Sequence, residues 1–194
     1  MPIKKLFFDL ETTGVHPHKN AIVQIAALLE IDGDVLDVFQ ADLAPHFPCE
    51  IDDGALRVIG KTREEIQAYP PHEEAYEGLT AFLGAYIDRY DKRDKAWLVG
   101  FNSRSFDDPF LRLLFERCGD TFFGSWFWSD TLDVLVLASE YLLERRSRMP
   151  SFKLHRVASE LGIMIDEDRL HDALYDVELT RQIYRVVTRR EEEI

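Results

Sequence analysis

Asp9 and Glu11 in Phe8-Asp9-Leu10-Glu11-Thr12-Thr13-Gly14, Asp107 in Ser105-Phe106-Asp107-Asp108, and His171 with Asp176 in His171-Asp172-Ala173-Leu174-Tyr175-Asp176 can do chemistry together. Carboxylates are the hard oxygen donors that a pair of divalent cations needs. A nearby imidazole is the base that a water nucleophile needs. The combination points to metal-assisted hydrolysis of a phosphodiester.

The spacings limit where each group can sit. Asp9 and Glu11 are two apart on a strand-like run, so their side chains share a face. Side by side, two like charges repel unless a cation lies between them. Ser105 and Asp108 have the spacing of a capping box, which starts a helix at Ser105 and occupies Asp108 as a first-turn acid. Asp107 is then the preferred ligand, because it shares the helix side of Phe110 and Leu111, with Asp108 as the alternative. His171 and Asp176 are five apart, about 140° of rotation on one helix. They face one centre only if Asp172 is the N-cap and His171 lies in the loop before it.

These residues must be held by an α/β scaffold. Lys5 to Thr12 and Ala21 to Ile31 read as apolar strands. Asp32-Gly33-Asp34 is a turn signal that pairs Val35 to Ala41 back as a hairpin. Asp52 to Ile59 and Thr62 to Ala68 read as short helices, the latter with a Thr62/Glu65 capping box. His72 to Tyr90 carries helical periodicity, and Asp88 to Lys95 reads as a charged loop. Ala96 to Gly100 is predicted as a strand, Ser105 to Cys118 as a helix and Trp126 to Asp130 as the fifth strand. Thr131 to Leu143, Ser151 to Leu161 and Asp172 to Arg189 are predicted helical. The expectation is a five-stranded mixed sheet, its first three strands antiparallel, flanked by helices.

The chain has 194 residues, 46% hydrophobic and 30% charged, which fits a single domain over 1–194 with a sizeable core. No apolar run is long enough for a membrane span, and Asp9 in the first apolar run is unlike a signal peptide. Cys49 and Cys118 make no disulfide framework, which suits the cytoplasm. The formal net charge is −13. A protein that grips long duplex DNA is usually basic, so contact with a short strand end, or with a partner that supplies the grip, is favoured. Arg145, Arg146 and Arg148 form a basic cluster that fits either a substrate contact or a solvated loop. Trp97, Trp126 and Trp128 read as core. His16 and His18 fall in a turn.

Taken together, these motifs resemble the DEDDh family of 3′–5′ exonucleases. The resemblance runs from Phe7 to about Arg185. Its second motif is Gly100-Phe101-Asn102-Ser103-Arg104-Ser105-Phe106-Asp107, and His171 marks the histidine branch. Ala55-Leu56-Arg57-Val58-Ile59-Gly60-Lys61-Thr62 is similar to the helix and loop beside the terminal base. Lys153-Leu154 to Leu161-Gly162-Ile163 matches the helix before the third motif. Two departures are the five-residue step from Asn102 to Asp107 and Phe101 where a histidine is frequent; neither touches a ligand.

The resemblance implies a ribonuclease H-like fold. It also implies two Mg²⁺ or Mn²⁺ ions on Asp9, Glu11, Asp107 and Asp176, with His171 as base and a nucleoside 5′-monophosphate as product. Substrate contacts are expected at Leu10, Thr12, Thr13, Leu56, Ile59, Asn102 and Phe106. For Thr12 and Thr13 an ordinary turn, and for Leu56 and Ile59 plain core packing, are the alternatives. Single-stranded or frayed DNA is the expected substrate. Short RNA, or a proofreading role on a DNA polymerase, is the alternative.

Overall fold

The computed structural model describes residues 1–166, 169 and 172–189. Five strands form one sheet in the order β3-β2-β1-β4-β5. They are β1 (Lys4–Thr12), β2 (Ile22–Ile31), β3 (Asp34–Asp42), β4 (Ala96–Gly100) and β5 (Leu132–Asp133). β1 pairs antiparallel with β2 and parallel with β4, so the sheet changes direction at its central strand. β2 pairs antiparallel with β3, as expected of a hairpin. Its turn places Asp32 and Gly33 at φ of 52° and 96°, the left-handed pair that an Asp-Gly turn supplies.

β1 is covered on both faces. Leu6, Phe8 and Leu10 pack into a core with α3 (His72–Gly84) and α4 (Asp107–Arg117). Phe7 points the other way, into a core with α5 (Val134–Tyr141), α6 (Leu154–Glu160) and α7 (Ala173–Val187). Alternation along the strand then puts Asp9 and Glu11 on the α7 side. A third, smaller core joins Val23 to α1 (Asp53–Ile59) and α2 (Arg63–Gln67) through Leu56 and Ile66. The Thr62/Glu65 capping box starts α2 as the sequence suggests.

Several boundaries differ from the sequence reading; among them, α6 begins at Leu154 rather than Ser151. The fifth strand is Leu132–Asp133, not Trp126 to Asp130. Trp126 and Phe127 instead fill the core beneath α3 and α4, and Phe127 keeps only an isolated bridge to Ala96. The helix at His72 ends at Gly84 because the chain folds back. The Tyr86 hydroxyl then donates to Asp37 at 3.0 Å and its carbonyl accepts from Lys4, while Ile87 stays buried. That burial prolongs the apolar period past the helix. α4 begins at Asp107 rather than Ser105, and the predicted capping box is absent, since the Ser105 hydroxyl donates to Asn102 Oδ1 at 3.0 Å. α5 begins only after Asp133, whose carboxylate caps it by accepting from the Leu135 N–H at 3.0 Å. Among the described residues no helix is long and apolar enough to cross a membrane.

A buried ion triad fixes α7 on the sheet. Glu30 of β2 accepts from Lys5 Nζ and from Arg181 Nε, each at 2.9 Å. Glu30 is 2% exposed and Arg181 8%. Burial alone raises the Glu30 carboxyl, but its bonds and charges from Lys5 and Arg181 outweigh that and hold it below the usual range. Removing one partner of such a set leaves uncompensated charge, so Glu30→Ala is expected to cost about 3–5 kcal/mol of stability, measured by denaturant unfolding. A depressed carboxylate stabilises above its unfolded value, so this contribution is expected to disappear as pH falls below about 4. Unfolding curves of wild type and Glu30→Ala should converge there; a constant gap down to low pH contradicts the assignment.

Candidate active site

The acids meet at the carboxyl end of β1, next to the point where the sheet changes direction. β4 pairs with β1 only as far as Phe7. Beyond it the Leu10 N–H donates to Asp107 Oδ1 at 3.2 Å, so the first residue of α4 is tied directly to the strand carrying Asp9 and Glu11. A bulge between Glu11 and Thr12 shifts the β1–β2 register at the same place, a device that re-aims side chains at a strand end. Asp172 caps α7, accepting from the Tyr175 N–H at 2.9 Å. Asp176 lies in the first turn that follows, on the helix packed over Phe7. Asp107 is joined to β1 by the Leu10 bond. Asp108 turns away to Arg112 Nε at 2.7 Å and accepts from the Thr131 hydroxyl at 2.9 Å.

The four carboxylates sense one another. Burial, then the charges of Asp107, Glu11 and Asp176, push Asp9 well above the usual carboxylate range. Burial and Asp176 push Glu11 up to about 7. Asp107 is pushed up to about 8, mainly by burial, although the N–H groups of Leu10 and of Asp107 itself pull it down; Glu11 and Asp133 add to the rise. Buried like charges are costly, and divalent cations relieve that cost. Among the described residues no three His, Cys, Asp or Glu side chains already stand where they could hold a metal ion. In donor type and in charge the set fits hard divalent cations.

Two cavities flank Glu11. One, of about 370 Å³, is mainly apolar, with Leu10, Thr12, Val15, Val58, Ile59 and Phe106 in its wall. The other, of about 340 Å³, is polar and is lined by Gln24, Gln40, Asp42, Lys61 and Tyr69. Glu11 and Ile59 line both.

The expected contact residues divide. Leu10, Thr12, Ile59 and Phe106 reach the apolar cavity. Thr13 does not, because it is wholly buried; its hydroxyl donates to the Glu50 carbonyl and accepts from the Ala21 N–H. Leu56 is 5% exposed and packs with Val23 and Ile66, so the core-packing alternative holds for it. Asn102 lines neither cavity; it is exposed at a φ of 61°, its N–H donating to Asp133 at 3.0 Å. His171 lies outside the described residues.

Val15 and Val58, 67% and 58% exposed, escaped the sequence reading. Their signal is a solvent-facing valine beside each motif. Asp133 escaped it as well. It caps α5 while accepting from the N–H groups of Asn102 and Arg104, and so holds the loop that leads to Asp107. An acid directly before an apolar helix was its readable sign. Arg145 pairs with Glu160 at 3.7 Å and Arg146 stacks on Phe152, surface contacts of their own. Trp126 is core, while Trp97 and Trp128 are half-buried and stack on each other.

An acid whose folded value is raised stabilises below its unfolded value and loses that contribution as pH rises through the folded one. The metal-free protein is thus expected to lose stability between about pH 4 and 8. Asp9→Asn should raise its Tm at pH 8 by about 2–4 °C for each kcal/mol of repulsion relieved, and by less at pH 5. Mg²⁺ should raise the wild-type Tm at pH 8 and leave the variant nearly unchanged. Identical melting of both proteins at pH 8, at pH 5 and at pH 8 with Mg²⁺ would count against a shared cation site.

The exonuclease family RNase_T matches residues 6–184. Exodeoxyribonuclease I of Escherichia coli K12 is 28% identical over 206 residues, covering 96% of this chain and 40% of that protein. The exonuclease DPD1, chloroplastic/mitochondrial, of Arabidopsis thaliana is 31% identical over 186 residues, covering 93% and 54%. A PolC-type DNA polymerase III of Thermotoga petrophila is 28% identical over 176 residues, 91% of this chain and 11% of the polymerase. The chain thus spans about half or less of the length of these relatives. The structure of E. coli exonuclease I with zinc and single-stranded DNA has a TM-score of 0.76 at 23% identity, covering 96% of this chain and 40% of that one. That likeness concerns the fold: the five-stranded mixed sheet with its helices is of the ribonuclease H-like exonuclease type.

Proposed function

The chain belongs to this exonuclease family, and on that footing we propose that it is a 3′–5′ exonuclease, with residues 1–194 as one exonuclease domain. The observation that carries the proposal is the buried, mutually repelling carboxylate group at the end of β1, set beside an apolar cavity. Asp9, Glu11, Asp107 and Asp176 would hold two Mg²⁺ or Mn²⁺ ions, which would supply positive charge against the scissile phosphate.

The protein's own groups do the rest. The apolar cavity takes the 3′-terminal nucleoside against Leu10, Val58, Ile59 and Phe106. Such contacts accept any base. The Asp107 tie to Leu10 keeps the wall of that cavity in register with the acids. His171, directly before the α7 cap, takes the proton of the attacking water. The water oxygen bonds to phosphorus, the P–O3′ bond breaks, and the departing O3′ takes up a proton. The products are a nucleoside 5′-monophosphate and a strand one nucleotide shorter.

Single-stranded DNA is the favoured substrate, in keeping with the E. coli relative's name and its complex with single-stranded DNA. The −13 charge fits a grip on a short end rather than on long duplex. A second reading, service as the proofreading exonuclease of a polymerase, draws on the PolC-type relatives. The test is degradation of 3′-labelled DNA and RNA oligonucleotides of matched sequence with Mg²⁺. Wild type should shorten DNA stepwise from the 3′ end, and Asp9→Ala should fall to background. His171→Ala should lose about 10²–10⁴-fold in turnover, and the wild-type rate should drop below about pH 6.5 as the base protonates. Equal inactivity of wild type and Asp9→Ala on both polymers rejects the proposal; faster RNA cleavage reverses the substrate choice.

A further inference from the structure

We infer that Thr131 and Asp133 are positioning residues for Asp107, and that together they set how tightly the acid group takes up its cations. The inference rests on the exonuclease reading insofar as that reading makes Asp107 a cation ligand. Neither residue is one of the four acids.

Asp107 follows a loop that has no regular structure of its own. The loop leaves β4 at Gly100 and passes Asn102, which stands at a left-handed φ of 61°. It then doubles back. The Ser103 carbonyl accepts from the N–H groups of Phe106 and Asp108 at 3.3 and 2.8 Å, and Ser103 is wholly buried. Gly100 permits this, because a Cβ there would lie 2.5 Å from Ser103 Cβ and 3.1 Å from the Phe8 carbonyl oxygen. A backbone so placed keeps one arrangement only when partners from outside the loop hold it.

Thr131 and Asp133 are those partners. Thr131 directly precedes β5 and Asp133 ends it, where Asp133 pairs with Gly100. Two apart on extended chain, their side chains share a side. Asp133 accepts from the Asn102 N–H at 3.0 Å through Oδ1 and from the Arg104 N–H at 3.1 Å through Oδ2. The Thr131 hydroxyl donates to Asp108 Oδ2 at 2.9 Å. Asp107 therefore stands between two anchored residues, Arg104 before it and Asp108 directly after it. Both anchors return to one short segment of one strand. A third tie, from the Leu10 N–H at 3.2 Å, joins Asp107 to β1. Thr131, Asp133 and Asp108 are each 8% exposed, so the anchoring bonds form away from bulk water. Partners of this kind fix the direction of a ligand side chain, and losing one costs about 10- to 100-fold in metal affinity or activity.

Four variants separate positioning from general stability. Thr131→Val keeps the shape and removes the hydroxyl, with no change of charge. Thr131→Ser restores the hydroxyl. Asp133→Asn keeps Oδ1 as the cap of α5 and as acceptor for Asn102, but turns a donor toward the Arg104 N–H. Val157→Ala is the control, a wholly buried change in α6. Mn²⁺ uptake by the full chain at pH 8 is to be followed by electron paramagnetic resonance, alongside Tm and the turnover of a 3′-labelled oligonucleotide in Mg²⁺. Thr131→Val and Asp133→Asn should each bind Mn²⁺ about tenfold more weakly. Thr131→Ser and Val157→Ala should stay within about twofold of wild type, the latter despite a lowered Tm. Should Asp133→Asn fail to fold, Thr131→Val decides alone. Wild-type affinity in Thr131→Val overturns the inference even where Asp133→Asn is weakened, because the lost charge then accounts for the effect. An equal loss in Val157→Ala overturns it as well. Weakened binding in both variants, with no oligonucleotide cut by wild type, supports the positioning role and overturns the exonuclease reading instead. Wild type that takes up no Mn²⁺ overturns both.

Discussion

Mutual repulsion among Asp9, Glu11, Asp107 and Asp176 is the constraint to which the rest of the molecule answers. Each comes from a region with its own structural reason to exist: a central strand, a helix start beyond the sheet edge, and the first turn of the last helix. Left to electrostatics they would separate. Burial makes this worse, because the low-dielectric surroundings that raise Asp9, Glu11 and Asp107 also strengthen their repulsion. A fold that nonetheless brings them together stores a preference for cations at that point, and the stabilisation of the rest of the domain has to offset it.

Two polar devices do much of the holding. The Lys5–Glu30–Arg181 triad links β1, β2 and α7. Arg181 lies on the same helix as Asp176, and Lys5 on the same strand as Asp9 and Glu11. The triad therefore sets α7 against the strand that carries the other acids. Asp133 does the corresponding work on the other side, capping α5 while binding the loop that leads into Asp107. Both devices are acids satisfied by several donors. Within one acidic chain, carboxylates paired with cations and N–H donors build the scaffold, while those at the end of β1 repel one another.

The surroundings of Glu11 are divided as well. Apolar side chains line one cavity, and amides, a tyrosine and charged side chains line the other, with Glu11 and Ile59 in the wall of both.

Residue type and short-range spacing determined much of this. The shared face of Asp9 and Glu11, the Asp-Gly hairpin, the Thr62 capping box and the Asp172 cap depend only on neighbours a few residues away, where strand and helix periods are rigid rules. The capping box read at Ser105 failed, because the Ser105 hydroxyl turns to Asn102 instead. What tertiary structure decided were the competitions between distant parts. Trp126 and Phe127 have strand-forming side chains but fill a core, leaving the last ladder to Leu132 and Asp133. Leu56 and Val58 are both apolar on one short helix, and only the packing of Val23 and Ile66 sends Leu56 inward and leaves Val58 at the cavity. Thr13 looks as available as Thr12 until Glu50 and Ala21 enclose it. Gln24 and Gln40 carry no motif, and Lys61 only ends the stretch from Ala55 to Thr62; they become one cavity wall because a strand pair and a helix cap end side by side.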